Sequence, residues 1–129
     1  MNISNATITA IRNTFTTDWP EVQMISGGFG GVGALTIGLE TTFSRGNLTI
    51  NSSSIYDHPI INPNWLADSR DVELMVAGVK IAQEILAAPA LAGVNLGELA
   101  PGSSVQTDEE IAAYVHQVAQ TYYHFSCTC

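Results

Sequence analysis

The period of polar and apolar positions changes near the middle of the chain, from alternation to a helical repeat. Residues 1–20 are polar, Thr-rich and aperiodic up to Asp18-Trp19-Pro20, and read as a loop-like lead-in with at most short extended pieces. Glu21-Val22-Gln23-Met24-Ile25 alternates polar and apolar residues, which predicts a strand with one buried face. Residues 34–42 alternate again and are rich in β-branched side chains, so they predict a second strand. Phe43-Ser44-Arg45-Gly46-Asn47 reads as a turn, with Gly46 or Asn47 available for positive φ. Leu48-Thr49-Ile50 makes a short strand and residues 51–54 a loop. From Tyr56 to Leu66 the chain is extended, because Pro59 and Pro63 bias their predecessors away from helix.

Asp68 or Ser69 caps the first long helix, which runs to about Leu86. Val72, Met75, Val76, Val79, Ala82 and Leu86 form one apolar stripe on it. Leu74, Gly78, Ile81 and Ile85 form another, so the helix is expected to be buried on two sides. Pro89 ends it, and residues 90–106 are a Gly-, Ala- and Ser-rich loop with one short turn at most. Thr107-Asp108-Glu109-Glu110 is a capping box. The helix it opens places Ile111, Ala112, Val115, Val118, Ala119 and Tyr122 on one face and leads to His124. Strands first and helices after predict an α+β fold, an antiparallel sheet with packed helices.

Composition sharpens this. A chain of 129 residues is one domain's worth of material. Charged residues are only 12 %, about half the usual share, which fits a piece lying against other protein surface. Twelve acidic and four basic residues give a net charge of −8. A phosphate backbone needs clustered Lys and Arg, so nucleic acid is excluded as a partner, and anionic membrane surfaces are disfavoured. No run approaches the roughly 18 apolar residues of a membrane span. The first residues have neither a basic region nor a long apolar stretch and do not read as a signal peptide. Sequons at Asn2, Asn5, Asn47 and Asn51 point towards secretion and a glycoprotein, and leave the compartment open.

Gly28, Gly30 and Gly33 satisfy G-x-G-x-x-G, but the dinucleotide fingerprint needs a helix after it. Residues 34–42 are strand-like, so the run reads as a glycine loop joining two strands. His124 carries the strongest chemical signal. It lies between aromatics at 122, 123 and 125, just past a helix whose C-terminal end favours imidazolium. A proton-transfer histidine suits that setting, and so does a histidine that merely hydrogen-bonds a helix end. His124, Cys127 and Cys129 supply three ligands within six residues and no second pair, so no metal is expected. A disulfide between those cysteines would be strained. His58 reads as a turn residue and His116 as a surface residue. Arg45, the one cation between Arg12 and Arg70, is expected to pair with a carboxylate or a carbonyl.

One ordered set of segments goes further. Ser44-Arg45-Gly46-Asn47-Leu48-Thr49-Ile50, then residues 59–66, then Asp71 within a long helix, then Tyr123-His124 with Cys127-Thr128-Cys129, resembles the C-terminal, substrate-binding part of the glucose-methanol-choline (GMC) oxidoreductases. The resemblance covers roughly residues 15–129 and is nearest to fungal members, including those of secondary metabolism. Phe125 and Cys127 stand where that family's motif usually has proline and glycine.

The resemblance implies a single partial domain over residues 1–129, and an FAD-dependent alcohol dehydrogenase or oxidase in which His124 takes the alcohol proton. It implies that FAD is held mainly by a Rossmann unit that this chain lacks, and that a second active-site histidine or asparagine comes after Cys129. The implied partners are a small-molecule alcohol and an FAD-binding part, or another copy of the chain. Two alternatives remain: a non-redox cyclase or lyase on the same scaffold, and a truncated, inactive chain.

Overall fold

Two adjacent glycines set the first element. In the computed structural model, which describes residues 3–15 and 19–123, Gly30 and Gly31 have φ of 60° and 87°. Two positive φ values at a two-residue turn match the twist of the strands they join. β1 (Val22–Phe29) and β2 (Val32–Leu39) therefore pair antiparallel over eight positions, from Val22↔Leu39 to Phe29↔Val32. The glycine run is a hairpin apex, with Gly27, Gly28 and Gly33 inside the strands. β1 runs past Ile25, and β2 stops at Leu39, short of Thr42.

β3 (Asn47–Thr49) and β4 (Ile60–Asn62) form a second antiparallel pair. The fold is α+β, as the order of periods implies, but among the described residues the expected sheet is realised as two separate two-stranded sheets. Positive φ falls at Asn64 (53°) and Leu66 (55°) instead of at Gly46 or Asn47.

The lead-in departs from expectation. Residues 5–14 form a helix, α1 (Asn5–Thr14), with Ser4 as its N-cap accepting from the Thr7 N–H at 3.2 Å. The Ser4 N–H and hydroxyl donate to the Glu73 carboxylate at 3.1 and 3.3 Å. Thr7 is buried on the inner side. β-Branched residues lower intrinsic helix propensity, and here the cap and the tie to Glu73 outweigh that.

α2 (Ser69–Leu86) starts at the Asp68 cap and buries Leu74, Val76, Ala77, Val79 and Ala82. It packs on the β1–β2 hairpin on one side and on α3 (Asp108–Val118) on the other. Val76 and Val79 meet Ile111 and Val115 to make the core, each worth roughly 1.5–3 kcal/mol of apolar burial. A 3-10 turn at Pro89–Leu91 follows α2. The capping box is formed: Thr107 accepts from the Glu110 N–H, and Glu110 accepts from the N–H groups of Gln106 and Thr107. α3 ends at Val118, and Ala119 is already extended. The apolar face expected to continue to Tyr122 stops there, and Val118 and Tyr122 are exposed. Among the described residues no helix is long and apolar enough to cross a membrane.

Gly78 is where α2 approaches the hairpin. A Cβ there would lie 2.8 Å from Ile37 Cγ2 and 3.4 Å from Val22 Cγ1. Alanine adds about 1 kcal/mol of helix preference, but overpacking costs about 1–3. Gly78→Ala is therefore expected to lower the urea midpoint, and a raised midpoint would refute the close approach. Three carboxyls are held below their ordinary pKa. Asp68 is held below its ordinary pKa by its hydrogen bond from Arg70. Burial pushes Glu73 up, but hydrogen bonds from Thr7 and Ser4 bring it below its ordinary value. Glu110 is lowered by the backbone N–H groups of Thr107 and Gln106. Depressed carboxyls stabilise above the unfolded pKa and lose that as pH falls through the folded one. Unfolding midpoints should be level above about pH 5 and fall below about pH 4. Glu110→Gln should make that fall shallower.

Candidate functional site

Asp71, in the first turn of α2, is fully buried. Its two carboxylate oxygens accept from the backbone N–H groups of Phe43 and Ser44, both at 2.8 Å. A helix N-terminus favours negative charge, and amide donors to a carboxylate make strong, short bonds. The turn after β2 is thereby clamped to the start of α2. Ser44 answers in the other direction, its buried hydroxyl accepting from the Asp68 N–H at 3.0 Å.

Arg70 closes the outside of this junction. Its guanidinium lies 3.9 Å from the centre of the Phe43 ring and its Nε donates to Asp68 at 2.8 Å. Phe15 packs against Phe43, with 5.3 Å between ring centres. The Asn64 amide donates to the Arg45 carbonyl at 2.9 Å, joining the segment before α2 to the same turn. Arg45 itself donates to the carbonyls of Thr42 and Ser44, so its expected pairing is with carbonyls.

The other candidates are scattered. His58 is exposed in the loop between β3 and β4. His116 is exposed on α3 and lines an open groove of about 500 Å³ between α2 and α3. Leu66, Val76 and Ala112 also line it, with the ion-paired Lys80 and Asp108. Tyr122 and Tyr123 stack obliquely with ring centres 4.9 Å apart, and Tyr123 has φ of 68°. His124, Cys127 and Cys129 lie outside the described residues. Among the described residues no cluster of three or more His, Cys, Asp or Glu could hold a metal.

Sequence reasoning placed Asp71 inside the helix without seeing the clamp. The available signal was an acid three positions after the cap, facing an otherwise apolar surface. Asp71→Ala would orphan one buried and one partly buried donor, at roughly 1–3 kcal/mol for a fully buried one. We expect a loss of about 3 kcal/mol in urea unfolding. An unchanged midpoint would mean that the clamp does not hold the junction.

Comparison with known proteins sets this junction in context. The GMC oxidoreductase family profile matches residues 42–129, from the clamped turn onward. The chain is 38 % identical to a patulin synthase of Aspergillus clavatus, over 98 % of this chain and 23 % of that protein. It is 37 % identical to a versicolorin B synthase of Emericella nidulans, over 99 % and 21 % respectively. A mitochondrial choline dehydrogenase of Mus musculus is 44 % identical over 72 % of this chain and 16 % of that protein. The chain spans about a fifth of the length of the fungal relatives it matches. With a matching profile over more than half its residues and relatives of this similarity, the chain belongs to the GMC oxidoreductase family, as a portion of the family's C-terminal part.

Proposed function

We propose that the chain forms the substrate-side part of an alcohol-oxidising enzyme, with His124 as its acid–base group. The observation that carries this reading is the family match, which runs through His124, together with relatives named choline dehydrogenase and alcohol dehydrogenase. His124 accepts the hydroxyl proton as the carbinol carbon gives up a hydride and the carbonyl forms. The glycine run does not fit the pyrophosphate of FAD: it is a hairpin apex with no helix behind it. In this reading the two-electron acceptor is an FAD carried by another region of the polypeptide. Exposed Leu48 and Ile61, paired on one face of the second sheet, suit association with such a region.

A second reading has its own support, since versicolorin B synthases at 37 % and 42 % identity carry a synthase name. On that reading the scaffold performs a non-redox cyclisation or elimination, and His124 moves a proton without electron transfer.

Purified full-length protein separates the two. Under the first reading it is yellow, its flavin bleaches on adding an alcohol substrate, and His124→Gln lowers kcat by about 10²–10⁴-fold. The variant should also lose the acid limb of the pH–rate profile, where protonation of His124 would otherwise switch the base off. Alcohol oxidation at wild-type rate by His124→Gln would remove His124 from the chemistry. Turnover of a cyclisation substrate without bleaching would replace the first reading with the second.

A further inference from the structure

We propose that Asn51 is an acceptor for an N-linked oligosaccharide, a modification independent of the reaction above. Four sequons are present, and the fold treats them differently. Asn2 lies outside the described residues, and the hydroxyl of its Ser4 is taken up by Thr7 and Glu73. Asn5 opens α1, and the hydroxyl-bearing Thr7 of its sequon is 1 % exposed. Asn47 and Thr49 are both within β3, opposite Asn62 and Ile60 of β4. Asn51-Ser52-Ser53 is in no helix or ladder, and all three residues are exposed.

The loop is ordered around this sequon through its middle residue, Ser52, and not through Asn51 or Ser53. The Ser52 hydroxyl donates to Asp57 and accepts from the Ser54 N–H, and the Ser54 hydroxyl accepts from the Tyr56 N–H. Neither the Asn51 carboxamide nor the Ser53 hydroxyl hydrogen-bonds to another described residue. A glycan is bulky and hydrophilic, so it needs an asparagine at a surface loop. It would also sit beside Ile50, Ile55 and Tyr56, which are 82 %, 93 % and 91 % exposed. Leu48 and Ile61 face one another across the hairpin, and alternation puts Asn47 and Thr49 on the opposite face. The apolar face is thus free to pack while the loop stays in water.

The transfer needs a polyisoprenyl-pyrophosphate-linked oligosaccharide. The Asn51 carboxamide nitrogen bonds to the anomeric carbon, the bond from that carbon to phosphate breaks, and the lipid pyrophosphate leaves with the electron pair. The amide proton passes to a base, and nothing is oxidised or reduced.

To test this, the full-length protein is directed through a yeast secretory pathway behind a cleavable leader. Deglycosylation with a peptide N-glycosidase in ¹⁸O water then marks each occupied asparagine as labelled aspartate. Label at Asn51 is expected, and Asn51→Gln should remove one glycan's mass with an unchanged circular dichroism spectrum. Label confined to Asn2, Asn5 or Asn47, or a secreted protein with no label at Asn51, overturns the proposal.

Discussion

A buried carboxylate with two amide donors fixes the arrangement of this chain. Asp71 cannot be replaced by an apolar side chain of similar shape without stranding the N–H groups of Phe43 and Ser44. Burying the charge is itself costly, and the two short bonds with the helix N-terminus offset that cost. Because Asp71 sits in the first turn, the clamp sets where α2 begins relative to β2. The opposite bond, from the Asp68 N–H to Ser44, removes the remaining freedom to slide. The rest of α2 then meets Ile37 on one side and Ile111 and Val115 on the other.

The clamp and the family profile coincide in sequence. The profile begins at residue 42, at the clamped turn, and runs on through α2 and α3. Residues 22–39 form a long hairpin outside it, yet they supply Ile37 to the core. The start of the family match and the packing of the chain therefore meet at the turn whose Phe43 and Ser44 N–H groups Asp71 holds.

Much of this was legible in the sequence, for reasons that can be named. Helical period with a cap at Asp68, and the Thr107–Glu110 box, marked α2 and α3 because both signals are local. The glycine run was readable as a strand connection because alternation resumed at Ala34. α1 was not readable, since its cap draws on Glu73, 69 residues away in sequence. The position of positive φ was missed for a similar reason: Asn64 is held by the Arg45 carbonyl, a partner 19 residues off. Leu66 reaches φ of 55° because it packs on the core of α2 and α3, which no local pattern records. The early end of α3 was hidden because Ala119 and Tyr122 kept the apolar spacing after the backbone had turned.

The β1–β2 hairpin has a consequence beyond packing. From Val22 to Leu39 it carries no charged residue, and each of its strands has one edge without a partner strand among the described residues. Lysines, prolines and inward charges are the usual means of discouraging edge-to-edge pairing, and none is present here. Only the glycines oppose it, through their weak strand preference and the twist of a tight turn. Wherever these edges are uncovered, during synthesis or after partial unfolding, the hairpin is a template for adding strands. Where those edges are uncovered, the net charge of −8 puts no repulsion along these eight uncharged residue pairs.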